Sequence, residues 1–248
     1  MKTTRISMHA LGVLFGIIFL GITACKKDKA SPTPPPITVT DIDGNTYQTV
    51  TIGTQVWMAE NLKTTHFRDA SLIPEVSSQV TWAGTKKGAM CWYNNDITNK
   101  DSHGALYNWY AVTTLAGLAP QGWHIATNAD WQTLEDYLIA NGYNYDGTKA
   151  GNKIAKSVAS KTGWNADPTV GNVGNDPNSN NKAGLGLLAC GYRDANFGYI
   201  GNYGTYWIPQ EFDIDNGNSR YLNYNDYSLI FSDQTPKYVG MSVRCVKD

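Results

Sequence analysis

The chain has 248 residues, with 20 basic against 21 acidic side chains and 12% aromatic residues. That length is ample for one domain with a full core and tight for two. A formal net charge of −1 argues against a nucleic-acid partner, which would require a basic face.

The first 24 residues read as a leader. Lys2 and Arg5 give a positive start, and Ala10 to Ala24 is apolar except for Thr23. An apolar helix of this length reaches roughly 22 Å, short of the ~30 Å hydrocarbon core, so a signal peptide is expected rather than a permanent span. The run ends at Cys25 after the small residue Ala24. This ending resembles a bacterial lipobox, in which the cysteine is lipidated and becomes the new N-terminus; several acyl chains hold a protein on a bilayer where one does not. Residues 25–36 then read as the lipidated cysteine and a tether. Lys26, Lys27, Asp28 and Lys29 stay out of lipid, and Pro32, Pro34, Pro35 and Pro36 favour extended polyproline II. The expected location is therefore the cell envelope, lipid-anchored to the outer membrane.

Residues 37–248 are expected to form one α+β domain. ITVTDIDGNTYQTVTIGTQVWMAENL (37–62) reads as a three-strand meander, turning at Asp43-Gly44 and at Gly53-Thr54, with Val50 and Ile52 alternating with threonines. GAMCWY (88–93) reads as a strand. Leu106, Trp109, Tyr110 and Thr113 recur at helical spacing, which predicts a helix over 104–117. The clearest element is TNADWQTLEDYLIANG (127–142). Thr127 and Asp130 form a capping-box arrangement, Trp131, Leu134, Tyr137 and Leu138 make one stripe, and Gly142 suits a left-handed C-terminal cap. Trp131 is expected in the core and Glu135 on the solvent face. Residues 170–184 are turn-rich and read as a long loop. Strands are expected at 185–189, 205–208, 219–224, 228–232 and 238–246.

No set of catalytic residues stands out. His66, His103 and His124 form no pair at metal-ligand spacing, and His124 reads as a hydrogen-bonded strand residue. There is no G-x-S-x-G, P-loop or dinucleotide fingerprint. Glu60 and Glu211 would make a glycosidase pair only if folding brought them within about 5–10 Å. Asp176, Asn178 and Asn180 have the one-three-five spacing of a calcium loop, but Asn181 and Leu187 stand where glycine and glutamate are needed. The cluster Asp213, Asp215, Asn216 and Asn218 fails likewise, so both read as turn chemistry. No metal site, cofactor or catalytic residue is expected, and the chain is read as a non-enzyme.

Several stretches carry a family pattern: DGNTYQTVTIGTQVWMAENLKT (43–64), CWYNND (91–96), GALYNWYAV (104–112), LAPQGWHIATNADWQTL (118–134), GYRD (191–194) and MSVRCVKD (241–248). In this order they resemble the Fibrobacter succinogenes major paralogous domain family, common in bacterial lipoproteins, over about residues 39–248. The resemblance implies a fold related to the formylglycine-generating-enzyme and C-type-lectin group, with two main helices, short antiparallel strands and long loops. It implies no defined biochemical role. Cys91 and Cys245 lie inside these motifs and Cys190 replaces a glycine-type position, so a Cys91–Cys245 disulfide with Cys190 free is what the resemblance suggests. Three reduced, buried thiols are the alternative.

A lipid tether, aromatic and Asn-rich loops and the lack of catalytic motifs lead to an expected non-catalytic binding or adhesion domain, with a glycan or an envelope protein as partner. Tyr199, Tyr203, Tyr206, Trp207, Tyr221, Tyr224 and Tyr227 are the candidate contacts, since such rings give large rigid surface at low entropic cost. The alternatives are an enzyme of the same fold, with Cys190 or Cys245 in a pocket beside a base, and a structural envelope protein.

Overall fold

The computed structural model of the chain describes residues 1–3 and 38–248. The expected leader beyond residue 3, Cys25 and the proline-rich tether lie outside them.

The first three strands are the expected meander: β1 (Thr38–Thr40), β2 (Thr46–Ile52) and β3 (Gln55–Met58), all antiparallel. The β1–β2 turn is built by Asp41, whose carboxylate accepts from the backbone N–H of Asp43 (3.0 Å) and Asn45 (2.9 Å) and from the Tyr47 hydroxyl (2.5 Å). Gly53 opens the β2–β3 hairpin at φ +61°, and a Cβ there would meet the Tyr137 ring at 2.8 Å. Backbone conformation and close approach both require glycine at this position.

Five short elements follow: α1 (Gln79–Gly84), β4 (Met90–Cys91), α2 (Lys100–His103), β5 (Leu106–Tyr107) and α3 (Trp109–Val112). The helix expected over 104–117 is thus a strand followed by a single turn. Leu106 and Tyr107 pair with Cys91 and Met90. Asn108 then stops the strand, accepting at its side chain from both Ala89 N and Ala111 N (3.0 Å each). Helical spacing of apolar residues does not reveal that interruption, because a buried strand-turn pair also wants apolar side chains throughout.

Next come β6 (Trp123–Ile125), α4 (Asn128–Ala140) and α5 (Ala155–Val158). The α4 capping box is complete: Thr127 Oγ1 accepts from Asp130 N (3.2 Å), and Asp130 accepts from Thr127 N (2.8 Å). Gly142 follows at φ +72°. Trp131, Leu134 and Leu138 are buried as expected, whereas Tyr137 is exposed at the stripe's edge. At 13 residues α4 is the single long helix among the described residues, so the expected pair of main helices is one.

The second half holds β7 (Tyr192–Arg193), β8 (Phe197–Gly198), β9 (Tyr203–Glu211), β10 (Asn216–Asn223), β11 (Ile230–Pro236) and β12 (Cys245–Lys247). The strand expected at 185–189 reduces to one bridge between Leu187 and Ala159. That at 238–246 reduces to β12 and to bridges at Gly240, Met241 and Ser242. Residues 170–184 are turns around a 3-10 segment at Pro177–Ser179, the expected loop.

Two sheets organise the molecule. The five-stranded sheet runs β1-β2-β3-β12-β6, antiparallel throughout, with β12 between β3 and β6; the three-stranded sheet runs β11-β10-β9. Period-2 geometry splits the larger sheet between two cores. Met58, Trp123, Ile125 and Cys245 enter one, with Tyr107, Trp92 and Trp207. Trp57 and Val246 enter the other, with Trp131, Leu134 and Leu138 from α4 and Tyr206, Ile208 and Leu222 from the smaller sheet. Trp57 and Trp131 lie 4.8 Å apart between ring centroids, and Trp131 and Tyr206 lie 6.0 Å apart. Truncating one such fully buried aromatic costs on the order of 3–5 kcal/mol. Segregated α4 beside antiparallel sheets makes this an α+β fold.

Candidate functional site

One face of the three-stranded sheet packs into the second core; the other lines a cleft along part of its length and ends at Trp207 in the first core. Register places Tyr221 opposite Thr205, Ser219 opposite Ser232 and Asn223 opposite Tyr203. Alternation then turns Tyr203, Thr205, Ser219, Tyr221 and Ser232 outward, while Tyr206, Ile208 and Leu222 go to the core. The β7–β8 hairpin adds Tyr192 and Asp194 at one side, and Gln234, Thr235, Pro236, Tyr238, Val239 and Met241 complete the lining. The resulting cleft encloses about 320 Å³.

Its wall is a run of tyrosines. Tyr192 stacks on Tyr199 (4.8 Å between centroids, 16° between planes); Tyr199 meets Tyr203 edge-on at 5.7 Å, and Tyr203 meets Tyr221 at 6.0 Å. Burial and the neighbouring Tyr199 push the Tyr192 phenol above its ordinary range, and burial raises Tyr221. The Asp194 carboxylate, accepting from the Tyr238 hydroxyl, raises that phenol, with burial adding to it. All three stay neutral hydrogen-bonding groups at physiological pH. Ser219 and Thr235 share a hydrogen bond of 2.8 Å, and Thr205 donates to Gly191 O.

The cleft has one charged lining residue, Asp194. Three basic residues adjoin lining positions in sequence, yet each turns away. The Arg193 guanidinium lies over Trp82 and donates to the Val76 and Ser77 carbonyls; Arg220 crosses to Glu135 (3.2 Å) and Asn128 (3.0 Å); Lys237 reaches Ile214 O (2.8 Å) and Glu211 (3.1 Å). Glu135 is therefore half-buried in an ion pair, where a solvent face had been expected.

The structure gathers Tyr199, Tyr203 and Tyr221 of the expected contacts. Tyr206 and Trp207 are corrected: both are fully buried. The Tyr206 hydroxyl accepts from Leu188 N (2.8 Å), and Trp207 Nε1 donates to Tyr107 O (2.8 Å). Tyr224 packs against the second core, and Tyr227 pairs with Tyr145 at 5.9 Å away from the cleft wall. Tyr192, Asp194, Ser219, Ser232, Gln234 and Tyr238 were not anticipated. The readable signal was Ser219-Arg220-Tyr221, where two polar or aromatic residues flank a cation that the other face sequesters.

The expected Cys91–Cys245 disulfide is absent: Cys91, Cys190 and Cys245 are free and buried. Cys91 packs with Trp82, Tyr93 and Leu106, whereas Cys245 sits in the five-stranded sheet among a different set of core side chains. Burial pushes the Cys91 thiol up to about 11, Cys190 up to about 12 and Cys245 higher still. Thiols so shifted are poor nucleophiles.

The polar residues of the sequence motifs build structure. Arg244, fully buried, donates to Asn61 Oδ1 (2.7 Å) and to the carbonyls of Met58 (2.9 Å), Leu185 (2.8 Å) and Gly186 (2.8 Å). Asn61 Nδ2 donates to His103 O (2.8 Å), Ser242 Oγ (3.1 Å) and Cys190 Sγ (3.2 Å). His124 is the hydrogen-bonded strand residue expected, facing Asp248 at 2.7 Å and Asp130 at 3.0 Å. Glu60 accepts from Gln48 N, and Glu211 pairs with Lys237. Asp213 accepts from Asp215 N and Asn216 N, and Asn180 donates to Ser160 O and Val173 O, which are turn and loop-packing roles. A second hollow of about 300 Å³ lies over the β1–β2 turn, but its Asp41 is already spent on that turn.

No curated protein and no solved structure matches the chain. The Fibrobacter succinogenes major domain matches residues 50–247, taking in every element from the later part of β2 to β12. The chain therefore belongs to the Fibrobacter succinogenes major domain family.

Proposed function

We propose that the chain is a cell-envelope lipoprotein whose domain is a non-catalytic binding module, with its ligand met at the tyrosine-lined cleft. One observation carries this reading: Tyr192, Tyr203, Tyr221 and Tyr238 converge on an open 320 Å³ hollow together with hydroxyl and amide groups. Rigid aromatic walls with a few polar groups are the usual make-up of a small-ligand site. Buried, high-pKa thiols count against the alternative of cysteine chemistry on this fold. The pairing of β12 with β3 in one sheet supports kinship with the C-type-lectin and formylglycine-generating-enzyme group.

Hydrogen exchange of the full chain, with and without an envelope extract, tests the cleft. The expected result is new protection in 203–205 and 219–221; unchanged exchange there at saturating extract rejects the reading. Palmitate labelling tests the tether independently: wild type is expected to incorporate label and Cys25→Ala to lose it.

A further inference from the structure

We infer that the cleft takes a neutral saccharide, with one or two sugar rings in direct contact. This rests on the cleft being the ligand site. Its volume of about 320 Å³ sits at the small end of ligand pockets, roughly 300–1,000 Å³, which suits one or two rings. Tyr203 and Tyr221, inclined at 59° to each other, offer separate aromatic faces. The negative face of such a ring attracts the polarised C–H groups on the flat side of a pyranose.

The hydrogen-bonding groups match a hydroxylated, uncharged ligand. The Tyr203 and Tyr221 hydroxyls and the Gln234 amide line the cleft and are engaged by no partner among the described residues. Each can both donate and accept, as a sugar hydroxyl does. An anionic ligand finds no cation, since Arg193, Arg220 and Lys237 are all committed elsewhere. A cation finds one carboxylate, Asp194, which already accepts from Ala195 N (2.7 Å) and from the Tyr238 hydroxyl. Aromatic cages for quaternary ammonium groups also exist, but they do not use this rim of neutral hydroxyl and amide groups.

The test is calorimetric titration of the full chain in a sugar-free detergent. The probes are cellobiose, maltose, mannobiose and N,N′-diacetylchitobiose, with digalacturonate and tetramethylammonium as charged controls. At least one neutral disaccharide is expected to bind. Tyr221→Ala is expected to weaken it roughly two- to tenfold, the worth of one aromatic contact, and Leu115→Ala, at an exposed position outside the cleft lining, to leave it within about twofold. Circular dichroism establishes that both variants are folded. Preference for digalacturonate or tetramethylammonium, or binding that Tyr221→Ala leaves unchanged, overturns the inference. So does failure of every neutral probe, and the exchange experiment then separates the two ideas. Cleft protection by the extract without sugar binding leaves the site and removes the ligand class, as it would if a peptide were captured instead; absence of both removes the site as well.

Discussion

Arg244 carries a charge into the interior with no carboxylate at ion-pair distance among the described residues, though Glu60 favours it from farther off. Its neutralisation is spread over three backbone carbonyls and Asn61 Oδ1, with the Tyr206 ring 5.7 Å away. Burial pulls its pKa down from the ordinary 12.5, so the site holds a charge it partly disfavours. Removing the guanidinium strands four acceptors in the interior, and each unsatisfied group costs about 1–3 kcal/mol. Arg244→Met is therefore expected to destabilise by about 3–5 kcal/mol in urea unfolding, the range for breaking a buried charge network. Arg244→Lys is expected to recover little, since an ammonium cannot reproduce the planar fork; a loss under about 1 kcal/mol for Arg244→Met contradicts this account. The cysteines make a second prediction at this scale. Cys91, Cys190 and Cys245 are expected to resist Ellman's reagent in the native chain and to contribute three thiols once it is denatured without reductant. Only one of them titrating after denaturation would restore the Cys91–Cys245 bridge. Motif membership suggested that bridge because it says which cysteines belong to the fold. It does not say which core cluster each strand delivers them to, and that is what separates them.

Among the elements, α4 was legible down to its cap because everything that makes it is local: Thr127 and Asp130 are three residues apart, and Trp131, Leu134 and Leu138 share one face. The long strands β9 and β10 were legible as strands from the same kind of local pattern, but not as to which face is hidden. Tyr203 and Tyr206 look alike in sequence; only the packing of α4 against the sheet decides that Tyr206 is core and Tyr203 is cleft. The segment 104–117 was misread because Asn108 ends a strand through partners 19 residues away, at Ala89. His124 joins three elements, linking β6 to the α4 cap through Asp130 and to the residue after β12 through Asp248. Burial lowers its pKa, but the hydrogen bonds it donates to Asp248 and Asp130 outweigh that and leave it above the ordinary 6.5. Its stabilisation is then fully present below about pH 6.5 and fades as pH rises through the elevated folded value. Asp130, despite burial, is held below its ordinary 3.8 by Thr127 and then His124, so its share is lost as pH falls below that value. The stability gap between wild type and His124→Gln is thus expected to be widest between roughly pH 4.5 and 6.5 and to narrow by pH 8.5. Denaturant midpoints across that range check it, and a gap independent of pH excludes a charged His124 from the linkage.

At the scale of the molecule, the sheet order β1-β2-β3-β12-β6 places the latest strand in chain order at an interior position. Such pairing was beyond local pattern: residues 245–247 look like any short apolar strand, and nothing nearby says that Trp57 and His124 flank Val246. Until β12 arrives, β3 and β6 are two bare edges about one strand's width apart, each offering unpaired N–H and C=O groups. Both large cores also stay open, because Cys245 faces one and Val246 the other. A chain emerging N-terminus first hence has just over two hundred residues of meander, helix and hairpin, from Thr38 on, waiting on a keystone of three. Ribosome-bound intermediates stopped short of it would remain pliable and protease-sensitive, and the native state would lock in one late, cooperative step.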